Sequence, residues 1–140
     1  GMTVILTTTA GTNGLIYASG ADLLITGSLV NAGAVIKYIK ALDPTLVSLV
    51  AMGYKAKITA AEDLLCAEMI RAGISGVQKD FQSAISDLRH GAGKRFFDPA
   101  NLDFSPPTDF FLCTMTDRFD FILKAEPRHD GNIDLVKIDL

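Results

Sequence analysis

The sequence predicts an α/β domain with three layers, α/β/α, a mixed and mostly parallel sheet, and a C-terminal antiparallel hairpin. Three observations predict this fold. Short apolar or β-branched runs alternate with segments of helical periodicity. Residues 45–51 are almost continuously apolar, as in a central strand covered on both faces. Two strand-like runs near the C-terminus flank Asp130-Gly131, which is a hairpin turn signal.

The elements follow in order along the chain. Strands are predicted at 3–6, 22–26, 45–51, 119–125 and 133–140, where β-branched and apolar residues concentrate. Helices are predicted at 13–19, 27–42, 60–72 and 79–89. The second of these ends before Pro44, which cannot continue a helix. Residues 90–109 are rich in Gly, Pro and Asp and are expected to be irregular.

Composition bounds the class of protein. With 140 residues, of which 49% are hydrophobic, residues 2–140 are expected to form a single domain, and Gly1 resembles the remnant of a removed tag. The net charge of −3 argues against nucleic-acid binding. No apolar stretch approaches the ~20 residues of a membrane span, and no signal peptide is evident. We therefore expect a soluble cytoplasmic protein with Cys66 and Cys113 as reduced, packed thiols.

The first candidate binding segment is the Thr/Gly-rich turn at residues 7–14, between the first strand and the first helix. If the strands are parallel, this junction lies at the carboxyl edge of the sheet, where open α/β sheets bind ligands. The hydroxyls of Thr8, Thr9 and Thr12 can donate to anion oxygens, and Gly11 allows close approach of the backbone. The alternative is that the threonines only satisfy the backbone and cap the helix.

The second junction contains Ser28 and Asn31. Capping of the following helix is enough to explain Ser28. Asn31 is a polar amide among apolar residues, so it needs a hydrogen-bonding partner if it is buried. A ligand or a neighbouring loop would supply that partner.

The third junction carries Lys55 and Lys57, followed by the start of a helix with two adjacent carboxylates. Thr59 and Glu62 have the spacing of a capping box, which leaves Asp63 free. Glu62 and Asp63 together could hold Mg²⁺, which prefers oxygen ligands and substrate phosphates. The two lysines could neutralise a bound anion, or they are simply solvated.

Four short blocks carry a resemblance to a known family. They are LTTTAGT at 6–12, GSLVNA at 27–32, EDLLCA at 62–67, and Cys113 with DRFD at 117–120. In this order they resemble the 2-phosphosulfolactate phosphatase (ComB-like) family. The resemblance implies an Mg²⁺-dependent hydrolase of coenzyme M biosynthesis that converts phosphosulfolactate to sulfolactate and phosphate. It also implies a pocket lined by the 8–12 turn, Ser28, Asn31, Glu62 and Asp63.

The resemblance covers the C-terminal part of the family only. By this resemblance we expect the family's N-terminal half, with a motif of Asp-Val-Leu-Arg-Ala type, to be missing, and Ala10 stands where the family usually has Asn. A homo-oligomer, or a partner chain, is therefore expected to supply what is missing.

Three functions follow from these observations. The first is an Mg²⁺-dependent phosphatase of a small phosphorylated acid, with Glu62 and Asp63 as metal ligands and Asp63 as the catalytic candidate. The 8–12 turn and Ser28 would bind phosphate, and Lys55 or Lys57 would face a second acidic group. The second is a non-catalytic remnant that binds a small anion. The third is a subunit or interaction domain.

Overall fold

The computed structural model describes residues 4–8 and 10–140. Five α-helices and three β-strands lie in this part of the chain, joined by short 3₁₀ helices. The α-helices are α1 (Gly11–Tyr17), α2 (Ala32–Leu42), α3 (Ala61–Ile74), α4 (Gln82–Asp87) and α5 (Pro107–Thr114). The strands are β1 (Ile25–Thr26), β2 (Phe121–Pro127) and β3 (Ile133–Asp139). The 3₁₀ helices are Leu29–Asn31, Leu88–His90, Ala92–Phe97 and Pro99–Asn101.

The sheet is antiparallel and has the strand order β1-β2-β3. Its main part is the hairpin of β2 and β3, in register from Phe121 opposite Asp139 to Pro127 opposite Ile133. The turn at its end contains Gly131 with φ +83°, a conformation that glycine adopts without strain. The C-terminal hairpin predicted from the Asp130-Gly131 signal is confirmed.

The core forms where α2 packs against α3 and against β2. Its buried residues are Ala32, Ala34, Val35, Ile39, Ile70 and Ile122. Small residues let the helices approach, since a Cβ added to Gly73 would overlap the side chain of Ile36. A second cluster joins Leu29, Leu88 and Phe110, with Phe97 edge-on to Phe110 at a ring-centroid distance of 5.2 Å.

Most predicted helices are confirmed within a few residues. The 27–42 prediction corresponds to the 3₁₀ turn Leu29–Asn31 followed by α2, which ends at Asp43 in a left-handed conformation, one residue before Pro44. The 79–89 prediction corresponds to α4 and the 3₁₀ helix after it. In the region expected to be irregular, two 3₁₀ helices form instead, and α5 begins within it at Pro107.

The mixture of helices and strands is confirmed, but the described residues do not form a parallel, three-layer arrangement. The strand predicted at 22–26 is only Ile25–Thr26, and it pairs antiparallel with β2. Residues 45–51 form no strand, and their Leu46 side chain is 81% exposed. Of the strand predicted at 3–6, Thr3 lies outside the described residues, and residues 4–6 are exposed and unpaired as a strand. A strand needs a neighbouring strand to pair with, and this part of the structure provides none for either segment.

Across residues 4–8 and 10–140, no helix combines the length and the apolar character needed to cross a bilayer.

Candidate functional site

The Thr/Gly-rich turn is closed by two threonines that bond to each other. The Thr8 N–H donates to Thr12 Oγ1 at 3.0 Å, and the Thr12 N–H donates to Thr8 Oγ1 at 3.1 Å. The two hydroxyl oxygens lie 3.4 Å apart, so a single O–H can join them and the other O–H stays available. Thr9 lies outside the described residues, and Gly11 opens α1. The threonines thus have a structural role that leaves part of their hydrogen-bonding capacity for a ligand.

Met52 connects the threonine turn with the third junction. A Cβ added to Gly14, in α1, would lie 2.5 Å from Sδ of Met52, so the helix rests closely on that side chain. Met52 immediately precedes Gly53, whose N–H donates to Asp63 Oδ2 at 2.7 Å. Two successive contacts therefore connect the threonine turn to the start of α3.

Residues 53–58, here called the lysine turn, form a tight reversal between Met52 and α3. The Tyr54 N–H donates to the Ile58 carbonyl at 2.8 Å, and the Ile58 N–H donates to the Tyr54 carbonyl at 3.1 Å. Gly53, Lys55 and Ala56 all have positive φ, of 68°, 55° and 55°. The Lys55 ammonium lies 5.3 Å from the Tyr54 ring centroid, within cation–π range. Lys55 and Lys57 are both exposed, so their charges are accessible to a ligand.

The two carboxylates at the start of α3 exchange the roles that the sequence predicts for them. The N-cap is Ala60 and makes no side-chain hydrogen bond, so the capping box of Thr59 and Glu62 is wrong. Asp63, expected to be free, accepts the bond from Gly53. Glu62, expected to be in the box, has its Oε2 buried with no hydrogen-bond partner among residues 4–8 and 10–140. A buried unpaired carboxylate oxygen is costly, and it is also the kind of group that a cation would satisfy.

At the second junction, Asn31 is buried, at 5% exposure, and its amide is engaged by the protein itself. Its Oδ1 accepts from both the N–H and the Oγ–H of Ser28, each at 2.9 Å. Its Nδ2 donates to the carbonyl of Phe121 at 3.2 Å, at the start of β2. The predicted need for a partner is confirmed, and strand β2 and Ser28 supply it.

The Cys66 thiol is affected both by burial and by the nearby Asp63 carboxylate. This half-buried thiol packs against both hydrophobic clusters, including the one that contains Leu29. Burial, with a smaller contribution from the Asp63 carboxylate, raises the pKa of Cys66 to about 11. The thiol is therefore held neutral and is not a nucleophile, as expected from the sequence. Cys113 is exposed, so the expectation that both thiols are packed is wrong for it.

The family comparison covers three quarters of the chain. Residues 1–105 match the family model described as 2-phosphosulpholactate phosphatase. The chain belongs to this family. Comparisons with curated proteins and with solved structures gave no match. The matched range contains all three junctions, and it ends before Cys113, the 117–120 block and the hairpin.

The phosphatase family makes a magnesium site at Glu62 and Asp63 worth testing against the structure. Within the described ranges, no group of three or more His, Cys, Asp or Glu side chains could hold a metal ion. Mg²⁺ can nevertheless be held by a single carboxylate or by two, with water and substrate phosphate completing its shell. The unpartnered Oε2 of Glu62 is the observation that fits this donor set.

Two concavities lie away from the three junctions. One, of about 580 Å³, lies between α2, α3 and residues 77–81. The other, of about 410 Å³, lies at the turn end of the hairpin. Neither is lined by Thr8, Thr12, Asn31 or Asp63. Contacts connect the threonine turn with the start of α3, but these two concavities do not include either.

Sequence reasoning missed the contacts of two groups that hold these junctions in place. Gly53 is one, and its signal was a glycine directly after an apolar run. The other is Asp117, whose Oδ1 accepts from the Gly33 N–H at 2.6 Å near the start of α2. Asp117 has φ +54° and lies 84 residues from Gly33, so no local pattern could reveal the contact.

Proposed function

We propose that this protein is a magnesium-dependent phosphatase that acts on a small phosphorylated acid of the 2-phosphosulfolactate type. Membership of the 2-phosphosulpholactate phosphatase family supports the reaction class. The single structural observation that carries the proposal is Glu62 Oε2, a buried carboxylate oxygen without a partner, adjacent to Asp63 at the start of α3.

The proposed roles follow from the contacts of each junction. Glu62 and Asp63 would hold Mg²⁺, which in such sites neutralises phosphate charge and activates water. The remaining hydroxyl capacity of the Thr8–Thr12 pair would donate to phosphate oxygens, with Gly11 allowing close approach. The exposed ammonium groups of the lysine turn would face the second acidic group of the substrate. A sulfonate or carboxylate there would be attracted by two cations near one phosphate site.

Ser28 and Asn31 support the site indirectly in this proposal. The Ser28 hydroxyl donates to Asn31, so toward a ligand it offers mainly lone pairs. Asn31 ties the start of α2 to β2. Their proposed contribution is to fix the second junction beside α3, with at most a minor contact to substrate.

A second candidate function is a non-catalytic domain that binds a small anion. The observation that favours it is that the polar side chains of Thr8, Thr12, Asn31 and Asp63 all make structural hydrogen bonds. Such a domain would be stabilised by phosphate or sulfate and would release no phosphate from any ester.

We also propose that a second copy or a partner chain covers the extended apolar segments. Ile5 is 91% exposed, Leu46 81% and Val50 70%, in segments that have no strand partner in the described part. Pairing there would give the parallel central strands expected from the sequence. Solution mass tests this, and a monodisperse monomer at working concentration would count against it. The cytoplasm is the proposed location, since both cysteines are free thiols.

Phosphate release from small phosphorylated acids, with Mg²⁺ or with EDTA, tests the main proposal. We expect release that requires Mg²⁺ and that falls by about a hundredfold or more in E62Q, which removes the charge at nearly constant shape. The matched control is E68Q on the same helix, where Glu68 pairs with Arg71 at the surface. Unchanged turnover in E62Q would exclude the metal assignment. Stabilisation by phosphate without any turnover would favour the second candidate.

A further inference from the structure

Gly53 occupies a position where no other residue fits. Its φ of +68° lies in the left-handed region that glycine adopts without strain. A Cβ there would overlap the carbonyl oxygen of Ile58, which accepts the Tyr54 N–H and closes the lysine turn. A side chain at this position would therefore open the turn.

The conformation of Gly53 also directs its backbone N–H toward the start of α3. This N–H donates to Asp63 Oδ2 at 2.7 Å, a charge-assisted bond from the base of the turn to the first turn of α3. The preceding residue, Met52, contacts α1 at Gly14. Gly53 thus lies between the contact to the threonine turn and the bond to the carboxylates.

We infer that Gly53 is a positioning residue of the anion site, acting through its N–H bond to Asp63 to hold the lysine turn against the start of α3. Lys55 and Lys57 follow Gly53 by two and four residues, in a turn that backbone hydrogen bonds close. Without this bond the lysine turn would no longer be held against the start of α3. The two lysine ammonium groups would then spend less time near the carboxylates. The part of this inference that concerns the anion rests on the proposed function, whereas the bond itself does not.

Two variants of Asp63 separate the bond from the charge. Both D63N and D63A remove the negative charge, but only Asn keeps an oxygen that can accept from Gly53. We would measure the hydrogen exchange of the Gly53 amide and the affinity for inorganic phosphate, both without Mg²⁺. We expect D63A to exchange faster and to bind phosphate up to about tenfold more weakly than D63N, since a bond worth about 1.4 kcal/mol changes the population of the binding-competent turn by at most that factor.

The matched control is D98A. Asp98 also accepts a backbone N–H, from Ala100 at 2.9 Å, but in the 3₁₀ region after α4. It should lose that local bond and leave both the Gly53 exchange rate and the phosphate affinity unchanged. A general effect of losing a carboxylate cap would instead appear in D98A as well.

Several results would overturn the inference. They are equal phosphate affinity in D63A and D63N, and Gly53 exchange that is the same in D63A and the wild type. If D63A does not fold, K55A and K57A decide, because both side chains are exposed and tolerate truncation. Unchanged phosphate binding in both overturns the inference, because the lysines would then take no part in the anion site. Phosphate binding that follows this pattern without ester turnover would refute only the proposed phosphatase.

Discussion

Replacing Glu62 by methionine should make the metal-free protein more stable, although most substitutions of partly buried residues destabilise. Oε2 of Glu62 is buried without a hydrogen-bond partner among the described residues. Leaving a buried acceptor unsatisfied costs about 1–3 kcal/mol, and the cost is higher for a charged group. Methionine keeps the length of the side chain and has no group that needs a strong partner.

One favourable interaction is lost with the charge and has to be subtracted. Glu62 lies in the first turn of α3, where a carboxylate interacts with the helix dipole by about 0.3–1 kcal/mol. The expected net gain of E62M is therefore about 1–2 kcal/mol. For a chain of this size the gain corresponds to a rise of about 3–8 °C in melting temperature.

Urea unfolding followed by circular dichroism, in EDTA and in Mg²⁺, measures both sides of this prediction. Mg²⁺ should stabilise the wild type, since a ligand that binds only the folded state shifts unfolding by mass action. In EDTA, E62M should have a higher free energy of unfolding than the wild type, and Mg²⁺ should not raise it further. E68M serves as the control, because Glu68 pairs with Arg71 and Lys79 and its loss should give no gain. A lower stability of E62M in EDTA, or an unchanged response to Mg²⁺, would refute the reasoning.

Three further predictions test other parts of the structure. N31A loses three hydrogen bonds at a buried position and should lower the free energy of unfolding by about 2–4 kcal/mol, measured by urea unfolding. The pKa of Glu68 is lowered from 4.5 to about 2, mainly by its hydrogen bond from Arg71, so its contribution to stability is present above pH 4.5 and is lost as the pH falls toward 2. Between pH 4.5 and about 2, the urea midpoint of E68Q should therefore fall less than that of the wild type. An equal fall in both proteins would contradict this. Iodoacetamide at mildly alkaline pH should alkylate Cys113, which is exposed, well before Cys66, whose pKa of about 11 is due mainly to burial. Mass spectrometry of the digested protein would show the order, and equal rates would contradict it.

The parts of the fold that local rules govern could be predicted from the sequence. The amphipathic pattern of 27–42 and the Asp130-Gly131 turn act within a few residues, and both appear where expected. The predicted strand at 45–51 depends on more than local rules. Its apolar character indicates that the segment favours burial, but it does not show whether a neighbouring strand is present. Its Leu49 does pack against the core, while Leu46 and Val50 remain exposed. Strand pairing is a contact between distant segments, and a single segment does not encode it.

The sequence proposes segments for the candidate site, but it does not give the contacts between them. Only the second candidate junction follows a strand, because residues 4–6 and 45–51 form none, but Asn31 was correctly expected to need a partner. Which group satisfies it depends on β2, 90 residues away. The same holds for Asp117 and Gly33, which meet at 2.6 Å across 84 residues. Hydrogen bonds of this range depend on tertiary packing, to which a sequence window has no access.

The start of α3 shows how a shift of one residue changes a functional interpretation. Thr59 and Glu62 have the spacing of a capping box, which would occupy Glu62 and free Asp63. The helix instead begins after Ala60, so Asp63 takes the third position and accepts a hydrogen bond from Gly53. That bond comes from a loop that returns to the helix, and it is a charge-assisted bond of 2.7 Å. Asp63 thus obtains a backbone donor, whereas Oε2 of Glu62 has no hydrogen-bond partner among the described residues. Glu62 is therefore the first residue to mutate when metal binding is tested, and Asp63 the first when the geometry of the lysine turn is tested.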